Sequence, residues 1–180
     1  MKKVYYIVLS FIFLFMLTGC GTNTPTAKTE EYLSRYTSLA DEVTVDIDTA
    51  VNSSGLSTTN QKEYRKVLER QYKNIKYEVK DETINGEEAI VTVKVTVYDL
   101  YKSDKNSLEY LGNNQNEFYV DNVLNQDLYD EYRIKNMLSM NDTIDYEINF
   151  YLTKKNGTWV LENPDNTTLE KLHGLYNYEI

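Results

Sequence analysis

One cysteine, one histidine, one tryptophan and two prolines occur in the 180 residues of this chain. Each scarcity closes a class of function. A lone cysteine forms no intramolecular disulfide, so a domain outside the cytoplasm must be held together by packing alone. One histidine, with no second thiol, cannot build the ligand sets usual for zinc. Asp46-x-Asp48 and Asp142-x-x-Asp145 supply carboxylates without the loop spacing and glycine of a calcium site. There is no Gly-rich phosphate loop and no Gly-x-Ser-x-Gly elbow. The expectation is therefore no catalytic residue, no metal and no cofactor: not an enzyme. Positive charge is short as well. Setting aside residues 1–19, which hold Lys2 and Lys3, leaves 17 basic against 28 acidic residues, a net −11. That balance repels phosphate backbones and excludes nucleic acid as a partner.

Long apolar runs are also missing, with one short exception. Residues 4–17 carry no charge and are broken only by Ser10 and two tyrosines, behind a positive Met1-Lys2-Lys3. A transmembrane helix needs about 20 apolar residues, whereas this run suits the h-region of an export signal. It ends in Leu17-Thr18-Gly19-Cys20, a bacterial lipobox: an aliphatic residue, two small ones, then cysteine. The thiol takes a diacylglyceryl group, and the small residues admit the peptidase to the Gly19–Cys20 bond. The expected lipoprotein has a signal peptide at 1–19, a lipidated tether at 20–27 and one domain at 28–180. Its predicted place is the cell membrane, held by palmitate-type acyl chains on Cys20 and facing the extracytoplasmic side. Its expected partners are the membrane and an envelope protein, and a monomer is expected.

The rest of the chain alternates between two periods. Thr24-Pro25 reads as a helix start. Leu33, Tyr36, Ala40, Val43 and Ile47 recur at helical spacing as far as the stop signal Asn52-Ser53-Ser54-Gly55. Asn60 and Glu63 resemble a capping box for a second helix, with Tyr64, Val67, Leu68, Tyr72 and Ile75 as its stripe. Then the period becomes two: Tyr77 and Val79, a turn near Asn85-Gly86, and Val91, Val93, Val95 and Val97. A three-residue loop over residues 84–86, with Gly86 left-handed, places Val79 opposite Val91 on one apolar face. Residues 100–117 lack periodicity and read as a loop, and residues 125–139 as a helix. Ile144 to Leu152 alternate cleanly. A two-residue Asn156-Gly157 turn pairs Leu152 with Leu161 and puts Trp159 on the same face. Thr167 or Thr168 would cap a short last helix. Two hairpins with one apolar face each, packed on N-terminal helices, make an α+β fold with an antiparallel sheet.

The lipobox, residues 71–80 leading into the valine strand, Asn156-Gly157-Thr158-Trp159 and the closing Leu172-His173-Gly174-Leu175-Tyr176 resemble small uncharacterised lipoproteins of Gram-positive bacteria. The resemblance implies an NTF2-like (cystatin-like) domain, in which a curved sheet wraps a helix. The helix between the hairpins departs from that order, and the family brings no activity with it. His173 has no identifiable acid or nucleophile partner in the sequence. Seventeen tyrosines are the most unusual count. Tyr32, Tyr36, Tyr64, Tyr72, Tyr77 and Tyr146 fall on core stripes, while Tyr98, Tyr101, Tyr110, Tyr119 and Tyr151 are candidates for an exposed or pocket-lining role. The function expected is a non-enzymatic binding module for a protein partner or a small apolar ligand. The alternatives are a structural envelope lipoprotein without a ligand and an NTF2-like cavity enzyme.

Overall fold

The computed structural model describes residues 22–179. Helix α1 (Pro25–Ser38) begins as the sequence predicts, with the Thr24 hydroxyl accepting from the Ala27 N–H and Pro25 in the first turn. It starts inside the segment read as tether, which is therefore shorter than 20–27. It also stops early. Leu39 turns left-handed (φ 51°), and the N–H groups of Leu39 and Ala40 bond the carbonyls of Tyr36 and Arg35, a Schellman ending. Helix α2 (Asp41–Ser53) restarts with Asp41 and Glu42 in its first turn, where the helix dipole favours acids. One expected helix is thus two. Leu33, Tyr36, Val43 and Ile47 still reach the same core.

Helix α3 (Thr58–Lys73) is capped at Ser57, not Asn60. Asn60 lies in the first turn and is buried, and its amide donates to the Asp127 carbonyl at 2.9 Å. Strands β1 (Lys76–Asn85) and β2 (Glu88–Tyr98) form the first hairpin, and its register differs from expectation. Asn85 faces Glu88, so the loop is the two residues Gly86 and Glu87. Gly86 is left-handed (φ 65°), as a turn with glycine first requires. Carried straight through, that register would set Val79 against Lys94. A bulge at Lys80 absorbs one residue, and Val79 meets Val93 while Tyr77 meets Val95. The apolar face is continuous as predicted, but the extra residue sits in the strand and not in the turn.

The segment expected to be a loop is helix α4 (Leu100–Asn113), capped by Asp99, whose carboxylate accepts from the Lys102 N–H at 2.9 Å. Its buried stripe is Leu100, Ser103 and Ser107. Small residues let it approach a neighbouring helix closely but give no apolar period to read. A short α5 (Gln115–Phe118) and a small hairpin of β3 (Tyr119–Val120) and β4 (Val123–Leu124) lead to α6 (Gln126–Ser139). The cap of α6 is Asn125; its buried residues are Tyr129, Asp130, Ile134 and Met137, while Leu128, expected to mark a face, is exposed. Strands β5 (Thr143–Lys155) and β6 (Thr158–Leu161) turn at Asn156-Gly157, and Leu152 pairs with Leu161 as predicted. Helix α7 (Asn166–His173) is capped by Asp165 in place of the threonines expected.

The main sheet runs β1-β2-β5-β6, with every pairing antiparallel. Two hairpins on N-terminal helices make the fold α+β. Val91, Val93, Val95, Ile148 and Phe150 line the inner face and are buried against Leu33 and Tyr36 of α1, Ile47 of α2 and Leu68 of α3. Val67, on the opposite side of α3, packs with Leu100, Ile134 and Met137 in a second core beneath α4 and α6. Asn136 donates to the Ser107 hydroxyl there at 3.0 Å, which pairs two polar groups between those helices.

Candidate functional site

Gly19 and Cys20 lie outside the described residues. Three positions further on, the chain is already fastened. The Asn23 side chain donates to the Gly157 carbonyl and accepts from the Trp159 N–H, each at 2.9 Å. Its amide bonds the outer edge of β6 as an adjacent strand would. Close by, the Thr26 N–H donates to the Glu82 carboxylate of β1 at 2.8 Å. The start of α1 is therefore bonded to the ends of both hairpins.

β6 is an edge strand, and its hydrogen-bond alternation is fixed by the Glu162 N–H donating to the Tyr151 carbonyl at 2.9 Å. In that phase the backbone groups of Trp159 and Leu161 face away from β5. Asn23 takes the Trp159 N–H; the Trp159 carbonyl and the Leu161 N–H point to the same outer side. Between this edge and α1 runs a groove of about 450 Å³, bordered by Lys28, Tyr32 and Arg35 and by residues 158–164. Its floor is apolar where Trp159 turns inward, 6% exposed. Its helical wall is charged. Glu31 accepts from Lys28 at 2.8 Å and from Arg35 at 2.9 Å, and these two bonds hold its carboxyl below the usual carboxylate range.

His173 sits at the C-terminal end of α7, its ring 5.6 Å from that of Tyr72. Burial pushes its pKa down, and the charge of Asp46 on α2 pulls the other way. Asp46 is exposed, and among the described residues the His173 side chain makes no hydrogen bond or ion pair. No acid–base pair is assembled there. Instead a file of aromatics runs through the core: the Tyr32 and Tyr36 hydroxyls are 2.9 Å apart, and Tyr36 meets Tyr72 edge-on at 5.1 Å. Burial raises the phenol pKa of Tyr32, Tyr36 and Tyr72.

The tyrosines singled out as candidate site residues do not converge. Arg70 lies over the Tyr98 ring at 3.7 Å, Tyr101 packs edge-on against Tyr178, and Tyr110 stacks on Tyr132 at 4.8 Å. Tyr119 is on the small hairpin, and Tyr151 is on the outer face of the main sheet, half exposed. The sheet's inner face, where a small apolar ligand would have bound, is filled by α1, α2 and α3. Neither Asn23 nor the β6 edge has a signature in the sequence, because a single asparagine in a polar segment carries no pattern and an edge depends on strand order.

No protein-family model and no curated protein matches the chain. Among solved structures, a candidate lipoprotein of Bacillus subtilis, ycdA, aligns over 83% of this chain with 19% identity and a TM-score of 0.40. The alignment covers 47% of that protein, so the chain spans about half the length of the structure it matches. A likeness at this level assigns neither a fold family nor an activity. No helix of the described residues is long and apolar enough to cross a membrane.

Proposed function

We propose that this chain is a non-enzymatic binding module, held on the extracytoplasmic face of the cell membrane by lipid on Cys20, which grips an extended segment of an envelope protein along the outer edge of β6. The anchor rests on the lipobox at residues 17–20. The binding reading rests on one observation: an edge strand with outward backbone groups borders a groove with an apolar floor and a charged wall. A peptide lying there gains main-chain bonds from the Trp159 carbonyl and the Leu161 N–H, and side-chain selection from Lys28, Tyr32 and Arg35. A protein partner is favoured over a small apolar ligand, since helices occupy the inner face of the sheet. Within this reading the domain is NTF2-like in having helices against one face of an antiparallel sheet, with residues 99–142 as its departure.

Photo-crosslinking in the native membrane tests the binding mode. A benzoylphenylalanine at Arg35 or Glu162, beside the groove, is expected to capture a discrete protein that the same probe at Glu109 on α4 does not. Equal capture from both places, or none from the groove, removes the reading.

A further inference from the structure

The position of Asn23 has a geometric corollary that rests on the lipid-anchor reading above. Cys20 and Asn23 are three Cα steps apart, a reach of at most about 11 Å at 3.8 Å per step. Asn23 is bonded at the β5–β6 turn, through Gly157 and Trp159. The β1–β2 turn lies at the same end, because the Lys154 N–H donates to the Glu87 carbonyl at 2.7 Å. From Lys155, β5 runs twelve residues to Thr143, about 40 Å at roughly 3.3 Å per residue. At its far end begins the α4–α6 layer, where the Asp99 N–H donates to the Asp142 carbonyl at 3.0 Å.

We propose that the paired turns Gly86-Glu87 and Asn156-Gly157 form the membrane-facing end of the domain, resting among lipid headgroups, while the opposite end of the sheet, where residues 99–142 leave and rejoin it, stands about 40 Å away along the strands. Charge agrees with this placement. The residues after position 19 carry −11 overall, yet at this end Lys28, Lys154 and Lys155 stand against Glu31, Glu82, Glu87 and Glu88, so little of that excess lies here. The bilayer therefore meets an end close to charge balance, which anionic lipid repels only weakly. The short tether sets the orientation, and the balanced surface permits it.

The test uses the full lipidated chain, purified from membranes and reconstituted in phosphatidylcholine vesicles that carry a nitroxide on some headgroups. Lys155→Cys and Thr143→Cys place one fluorescent thiol label at each end of β5, both positions being exposed, with Cys20 blocked by its lipid. Quenching several-fold stronger at 155 than at 143 is expected. Equal or reversed quenching on vesicle-bound protein overturns the orientation and leaves the anchor standing. Failure of the protein to float with vesicles, as Cys20→Ala should fail, overturns the anchor and the orientation with it. A Gly/Ser spacer of about 20 residues after Thr22, with a root-mean-square span of about 25 Å, should abolish the difference. Its survival would overturn the tether as the cause.

Discussion

Among the glycines of the described residues, Gly174 should be the one where an added methyl group, in Gly174→Ala, does the most damage. Gly174 ends α7 in the left-handed region (φ 71°), and its carbonyl accepts from the Tyr101 N–H at 2.7 Å. Beneath it lies Gln71, 1% exposed, which accepts from the Tyr98 N–H at 3.2 Å and donates to the Tyr98 carbonyl at 3.3 Å. A Cβ on Gly174 would run into that carbonyl oxygen and stand 2.5 Å from the Gln71 amide nitrogen. The left-handed conformation alone costs a side chain about 1–2 kcal/mol. Displacing Gln71 leaves buried polar groups unpaired, at about 1–3 kcal/mol more. The sum is about 2–5 kcal/mol, or roughly 10 °C in Tm for a domain of this size. Two internal controls calibrate it. Gly86 is also left-handed but opens on empty space, so Gly86→Ala should cost only about 1–2 kcal/mol. Gly112 lies in α4, free of neighbours and without a positive φ, so Gly112→Ala should be neutral or gain up to about 1 kcal/mol. Valine at 86 and 112 should keep their order. Urea titrations at neutral pH with unchanged m-values give the comparison. Should Gly174→Ala lose no more stability than Gly86→Ala, the packing described between α7 and Gln71 is wrong.

Trp159→Ala should cost about 3–5 kcal/mol, and the wild-type emission should be blue-shifted and poorly quenched by acrylamide; emission like that of free indole in a folded sample would refute its burial. Among the described residues the Tyr146 hydroxyl is buried without a partner, so Tyr146→Phe should leave urea stability unchanged or raise it, and a clear loss would point to a missed hydrogen bond. His173 is held neutral by burial, its folded pKa lying below the unfolded value. The unfolded chain thus takes up this proton first on acidification, and His173 contributes stability above about pH 6.5 that is lost as pH falls through the unfolded and then the folded pKa. His173→Gln should flatten the stability profile below about pH 6.5, the ordinary histidine value, and an unchanged slope would show that another group titrates. Cys20→Ala should abolish acyl labelling and membrane retention together, and retention without labelling would mean a different anchor.

What could be read from residues alone was decided by face and period. The parity argument for the first hairpin was sound: Val79 had to share a face with Val93 and Val95, and it does. The sequence held no sign of where the odd residue would go, because a bulge at Lys80 and a three-residue turn at Gly86 satisfy the same parity. Leu39 hid the break between α1 and α2, since a left-handed helix ending usually shows a glycine. Asp41-Glu42 is the clue the sequence offers, an acidic pair that suits a first helical turn. α4 was missed because its buried stripe is partly serine, and hydropathy periods register apolar side chains, not close helix approach. On the functional side, the aromatic file through Tyr36 and Tyr72 was legible as core. The edge of β6 was not, since an edge is a property of strand order and depends on pairings far apart in the chain.

The pairing of Tyr98 with Thr143 places the ends of residues 99–142 side by side, on adjacent strands. The chain leaves the sheet and re-enters it at the same spot. The α4–α6 layer is therefore an insertion in topology: strand order and the β2–β5 register do not pass through it, although it covers Val67 of α3 and bonds the Gly174 carbonyl. Such a segment can lengthen or shrink without changing which strands pair. It is also the natural place to graft a foreign loop or a second domain.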